Sequence, residues 1–201
     1  MSDADEPGFD AKLVKTLSIP TRSLAWTRDG RRIAFVERKP EKSWETGNLY
    51  VWDIDGGASP LLLARNIEEN MQSGSFSPDG RHLFVVDTNR SVVTFDLATG
   101  KSVASFPTVV PTQAWSRTMK LCLSPDGTRL AMSSPSARGV DLWESYTGRL
   151  LYALPEQIGT ILRLAWSPDG QRLAVARSNG DIAIWNLPEI ERVLAGLGLS
   201  P

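Results

Sequence analysis

Short apolar runs alternate with turns rich in Gly, Asp, Pro and Ser along most of the chain, and only the tail switches to a helical period. Residues 164–187 show the pattern most clearly. Leu164-Ala-Trp166 leads into Ser167-Pro-Asp-Gly170, and Arg172 to Ala176 makes a return strand. Ser178-Asn-Gly180 turns again, and Ile182 to Asn186 is a third strand. Pro168 presets φ at the second turn position, and Gly170 supplies the positive φ that a tight hairpin with a bulge requires. Ile182 and Ile184, separated by small or polar residues, give the period of two of a half-buried strand. One such unit cannot bury both of its faces.

Three more copies precede it. The first reads Leu24 to Gly30, Arg32 to Val36 and Leu49 to Ile54, with Pro60 to Ala64 as a fourth strand. The second reads Gly74 to Gly80, His82 to Val86, Val92 to Leu97 and Ser102 to Phe106. The third reads Leu121 to Gly127, Arg129 to Met132, Val140 to Glu144 and Leu150 to Leu154. The hairpin aspartates Asp29, Asp79, Asp126 and Asp169 are spaced 50, 47 and 43 residues apart. The aromatics ending the third strands, Trp52, Phe95, Trp143 and Trp185, are spaced 43, 48 and 42. Two landmarks sharing a period near 45, with four strands per unit, predict an all-β fold, a β-propeller of four blades of antiparallel strands.

Val51-Trp-Asp53, Leu142-Trp-Glu144 and Ile184-Trp-Asn186, each downstream of an Asp-Gly hairpin, resemble the blades of WD-repeat proteins over residues 13–187. The Gly-His dipeptide typical before the first strand is missing from all four units, so that family's buried hydrogen-bond tetrad is not assembled here. The Ser-Pro-Asp-Gly hairpins and the stretch Gly47 to Gly57 are also similar to TolB-like propeller repeats. The tail, from Trp185-Asn-Leu-Pro188 into Glu191-Arg-Val-Leu-Ala-Gly196, resembles the end of planctomycete-type WD-repeat proteins, some of which carry a protein kinase domain. These resemblances imply a platform for binding other proteins.

The chain divides into an acidic leader (1–12), a propeller unit (13–187) and a short C-terminal helix and tail (188–201). Pro188 suits a first helical turn, and Ile190, Val193, Leu194 and Leu197 share one face, with Gly196 or Gly198 as the stop. Leu13 to Ile19 is an orphan outer strand, while the last blade has none of its own. The expected outcome is a half ring or part of a larger propeller. It would form a homodimer by strand exchange or associate with further propeller blades, because open sheet edges template aggregation.

Among 201 residues the net charge is −1, so no global field recruits nucleic acid or an anionic membrane. No apolar run approaches the roughly 18 residues of a membrane span, and the first ten residues carry no signal pattern. The location expected from these features is cytoplasmic. One cysteine, Cys122, and one histidine, His82, leave no basis for a disulfide framework or a His-based metal site. Cys122 aligns with Ala25, Ser75 and Ala165 as a small packed residue, and His82 aligns with Arg32, Arg129 and Arg172 as a solvated strand residue. The hairpin aspartates read as turn residues, and Trp26, Trp52, Trp143, Trp166 and Trp185 as packing between blades. No catalytic residues, cofactor or metal are expected. The candidate partner-binding rim combines Trp44 and Trp115, which break the repeat in polar loops, with Arg22, Arg38, Arg90, Arg117, Arg138 and Arg177. The function this predicts is a non-catalytic protein-interaction scaffold, or alternatively a regulatory or substrate-gating propeller of a larger enzyme.

Overall fold

In the computed structural model, residues 16, 18–38, 46–68, 74–87, 89–108, 119–134 and 136–199 are described. Their strands form four antiparallel sheets that follow one another along the chain. Blade 1 holds β1 (Thr21–Trp26), β2 (Arg32–Arg38), β3 (Thr46–Asp53) and β4 (Leu61–Glu68). Blade 2 holds β5 (Gly74–Phe76), β6 (His82–Val86), β7 (Ser91–Asp96) and β8 (Lys101–Pro107). Blade 3 holds β9 (Leu121–Leu123), β10 (Arg129–Ser133), β11 (Val140–Glu144) and β12 (Leu150–Leu154). Blade 4 holds β13 (Ile161–Trp166), β14 (Arg172–Arg177) and β15 (Ile182–Asn186). The fold is an all-β propeller of four blades, followed by helix α1 (Leu187–Gly196).

The expected orphan strand over 13–19 falls largely outside the described residues; of that span, Thr16, Ser18 and Ile19 are described and are irregular. Strand β4 runs beyond the expected Ala64 because Ile67 enters the core between blades 1 and 2 and bridges to Asp87.

Side chains alternate across each sheet, which gives every blade a forward face toward the next and a backward face toward the one before. Ala34, Val36, Leu49 and Val51 of blade 1 meet Phe76, Leu83, Val85 and Phe95 of blade 2. Phe84, Val86, Val92 and Phe106 then meet Leu121, Leu123, Leu130 and Met132 of blade 3. Ala131, Val140 and Leu142 meet Ile161, Leu173 and Val175 of blade 4, joined by Leu187 of the helix. Among the described residues, four blades therefore enclose three cores. The outer faces of the end blades stay open, with Leu24 and Trp26 58% and 51% exposed at one end and Ile182 and Ile184 69% and 68% at the other.

Each blade turns from its first to its second strand through the same side-chain latch. The hydroxyls of Thr27, Ser77, Ser124 and Ser167 donate to Asp29, Asp79, Asp126 and Asp169 at 2.5–2.6 Å. They also accept the backbone N–H of Arg32, His82, Arg129 and Arg172. The aspartates in turn accept the N–H of Arg31, Arg81, Thr128 and Gln171. Gly30, Gly80, Gly127 and Gly170 close the turns at φ of 67–77°, a region that carries no steric penalty only for glycine. The latches also nest: a Cβ on Gly127 would lie 2.9 Å from Cδ of Pro78 in the preceding blade, and one on Gly170 would lie 3.6 Å from Cδ of Pro125.

Helix α1 is packed on the junction of blades 3 and 4. Asn186 caps it by accepting the Glu189 N–H at 3.4 Å, and Gly198 follows its end at φ 73°. Ile190 and Leu194 lie against the third core. Glu191 takes Nη1 of Arg129 at 2.7 Å and the Tyr152 hydroxyl at 3.0 Å.

Two outcomes follow from this packing. Leu130 is fully buried, so Leu130→Ala should lower the unfolding free energy by about 2–5 kcal/mol. Exposed Val103→Ala should change it by no more than about 0.5 kcal/mol, with both read by denaturant titration. The latches also set an acid limit. The Thr27, Ser77 and Ser167 hydroxyls, and then the backbone N–H groups, hold Asp29, Asp79 and Asp169 below the usual carboxylate range. Burial pushes Asp126 the other way, but its Ser124 and Thr128 hydrogen bonds outweigh it and its pKa is lowered too. A folded-state pKa below the unfolded one adds stability that is fully present above about pH 4 and is lost as pH falls through the folded values. The melting temperature should therefore stay level from pH 7 to about 5 and drop in stronger acid, and Asp79→Asn should reduce that drop.

Candidate functional site

The second strand of each blade ends, and the third begins, at one end of the sheet, and an arginine of the predicted rim stands at or just beyond that end in every blade. Arg38 closes β2, where it pairs in register with Gly47. Arg90 sits in the β6–β7 turn at φ 60°, its carbonyl accepting the Thr108 N–H at 3.2 Å and the Thr108 hydroxyl. Arg138 follows Ala137, which has φ 57°, in the β10–β11 loop and is exposed. Arg177 ends β14. Arg22 lies in β1, next to the Thr21–Glu37 pair at this same end of blade 1. Trp44, Trp115 and Arg117 lie outside the described residues.

The structure brings two of these residues together. Arg177 is only 3% exposed, and its Nη1 donates to the carbonyls of Arg138 at 2.9 Å and Gly159 at 3.3 Å. The Arg138 carbonyl also takes the Gln157 N–H, and the Ala137 carbonyl takes the Ile161 N–H at 2.8 Å. Arg177 thus fastens the rim loop of blade 3 to blade 4, leaving the charge of Arg138 in solvent. Beside them Ser136 donates to Glu156. Burial first, and the Glu156 charge second, raise the Asp141 pKa.

On the opposite, hairpin side a cleft of about 470 Å³ opens between blades 2 and 3, lined by Ser77, Asp79, Asp126, Thr128, Glu144 and Tyr146. Glu144 is held by the Thr147 hydroxyl and by Arg149 at 3.5 Å, so it and the two aspartates each serve a turn. His82 is half-buried here rather than solvated. Its ring meets Tyr146 edge-on at 5.5 Å, with Nδ1 3.2 Å from the tyrosine hydroxyl. The physical reason is that the β11–β12 turn of blade 3 reaches across to blade 2. Tyr146 stands where the corresponding turn of blade 2 has Ala98, and that break in the repeat was the signal for the contact. A second hollow, of about 330 Å³, lies among the inner strands, where Trp26 and Arg28 face Pro78, Pro125 and Pro168.

Cys122 is packed in the third core, and burial pushes its thiol up to about 12 despite the Trp166 hydrogen bond. Of the five repeating tryptophans, Trp52 is buried, Trp143 stacks on Phe106, and Trp166 and Trp185 pack in the third core. Trp26 differs from expectation and is half-exposed, because its face of blade 1 has no preceding blade among the described residues. Among the described residues, no three His, Cys, Asp or Glu side chains come together as a metal-binding group. No helix among them is long and apolar enough to cross a membrane.

Comparison with known proteins places this geometry in a family. The lipoprotein LpqB β-propeller domain matches residues 13–144, and the WD40 domain of anaphase-promoting complex subunit 4 matches residues 149–194. The chain is 25% identical to the Protein LST8 homolog of Drosophila melanogaster over 81% of its own length and 52% of that protein. It is 32% identical to Autophagy-related protein 16 of Arabidopsis thaliana over 69% of its length and 27% of that protein. To WD repeat-containing protein 1 of Mus musculus it is 24% identical over 83% of its length and 26% of that protein. It thus spans about half the length of these relatives or less. Four sheets on a shared repeat, their latch hairpins and these matches together establish that the chain belongs to the WD-repeat β-propeller family.

Proposed function

We propose that this chain is a non-catalytic protein-interaction scaffold, acting in the cytoplasm and binding through the rim on which its second-to-third-strand loops open. The observation that carries this reading is the placement of Arg90 and Arg138 at that end of two neighbouring braced sheets, with the buried Arg177 of blade 4 fastening the Arg138 loop. Rigid sheets hold such side chains at fixed separations, so a partner meets a preorganised surface and little ordering cost opposes binding. In this reading Arg22, Arg38, Arg90, Arg117 and Arg138 supply charge, Arg177 sets the Arg138 loop, and Trp44 and Trp115 are the aromatic anchors. Membership of the WD-repeat family supports protein partners. The open ends belong to the same reading: they associate by strand exchange between two copies or by addition of further propeller blades. Residues 13–187 act as the propeller unit and residues 188–201 as its helical appendix.

A second reading, a regulatory or substrate-gating propeller of a larger enzyme, is favoured by the resemblance of the tail to kinase-linked WD-repeat proteins. Turnover of a kinase, hydrolase or oxidoreductase substrate by the purified chain, stopped by substitution of a rim residue, would refute the scaffold. Joint replacement of Trp44 and Trp115 by alanine should weaken partner capture about tenfold or more while the melting temperature stays nearly constant. A loss of about 3–5 kcal/mol in stability would instead make them core residues.

A further inference from the structure

We propose that two copies of this chain close into one eight-bladed ring, with the forward face of blade 4 in each copy docked on the backward face of blade 1 in the other. The inference rests on the assembly part of the reading above and is independent of the rim. Its basis is that the two open faces are the two halves of a junction the chain already builds once, between blades 3 and 4.

That junction has four parts. The Trp166 indole donates to the Cys122 carbonyl at 3.1 Å. The Arg129 guanidinium lies 5.3 Å from the centre of the Trp166 ring and donates through Nη2 to the Gly170 carbonyl at 3.0 Å. Gly170 faces Pro125, and small Ala131 beside Leu142 faces Leu173. Blade 1 repeats the receiving half and blade 4 the donating half. Trp26 stands at the position of Trp166, and Gly30 at that of Gly170. Arg172, Pro168 and Ala174 stand at the positions of Arg129, Pro125 and Ala131, with Ile184 in place of Leu142. Among the described residues of the single chain these contacts are unmade. Trp26 and Ile184 are 51% and 68% exposed, a Cβ on Gly30 would meet open space, and Pro168 and Arg172 are exposed.

The match is specific to these two ends. Tryptophan occupies this inner-strand position in blades 1 and 4, while blades 2 and 3 carry Phe76 and Leu123. A tryptophan receiving face and an arginine donating face therefore meet where blade 3 joins blade 4, and the same pair recurs only between a blade 4 and a blade 1. Since the described residues of one chain leave both of those faces open, a second copy is what joins them. In the assembled ring the Trp26 indole donates to the Ala165 carbonyl of the other copy, and Arg172 covers the Trp26 ring and donates to the Gly30 carbonyl. Such head-to-tail junctions leave no free end when two copies close about a twofold axis, and eight blades lie within the range that propellers adopt.

Light scattering on the full chain at micromolar concentration tests this. The expected mass is twice 22.1 kDa. Trp26→Asp and Ile184→Asp alter opposite exposed ends, and each should give a folded chain at the single mass. An equimolar mixture should recover part of the doubled mass, because one junction then remains intact. Arg172→Glu, which leaves both apolar faces in place, should raise the dissociation constant at least tenfold. The Trp44 and Trp115 double variant should keep the doubled mass, so failure of the rim reading and of this inference are told apart. A wild-type mass of 22.1 kDa, a doubled mass that only one of the two Asp variants disrupts, or open-ended larger assemblies would each overturn the proposal.

Discussion

Every blade here is a single sheet with two apolar faces, and a sheet of that kind gains its stability only from what lies against it. The forward face is built of small or branched residues such as Ala34, Val36 and Val51, and the backward face carries larger ones such as Phe76 and Leu83. Small against large lets neighbouring sheets approach closely and fill the space between them to interior density. The third core repeats this arrangement with Ala131 against Leu173, while in the second Phe84 and Phe106 supply the bulk from the forward face. All three make the structure a row of nearest-neighbour contacts rather than a body with one centre. Its energetics are then close to a sum over blades and junctions, as in other repeat proteins.

The hairpin latches fix the angle at which those faces meet. A serine or threonine hydroxyl shared between an aspartate and a backbone N–H leaves the turn one low-energy geometry, and the following glycine brings it within contact of the preceding blade. The rim opposite depends on this indirectly. A loop such as that of Arg138 keeps its place because Arg177 holds its carbonyl, and Arg177 is in turn carried by a strand that the latch has oriented.

Strand positions, hairpins, blade number and the C-terminal helix were legible in the sequence because each depends on local periodicity or on turn chemistry that recurs at a fixed spacing. Contacts between blades were much less so. The repeat identified the sheet face of Trp26, but whether a face is covered depends on a neighbour, which periodicity does not report. His82 read as solvated because its aligned counterparts are arginines, while the tyrosine that covers it arrives from a turn 64 residues away. Arg177 read as loop charge, yet the carbonyls of Arg138 and Gly159 enclose it, and no one-dimensional pattern encodes backbone acceptors converging from two loops.

The recurrence of one latch in every blade also bears on how such a chain changes over generations. Because each hairpin carries the same latch and glycine, an in-frame duplication or loss of a whole blade keeps every turn intact, while the junction it creates depends on which two faces it brings together. The latch and its glycine travel together within each unit of about 45 residues. Blade number can therefore change without remaking a single turn, provided that the new pair of faces fits.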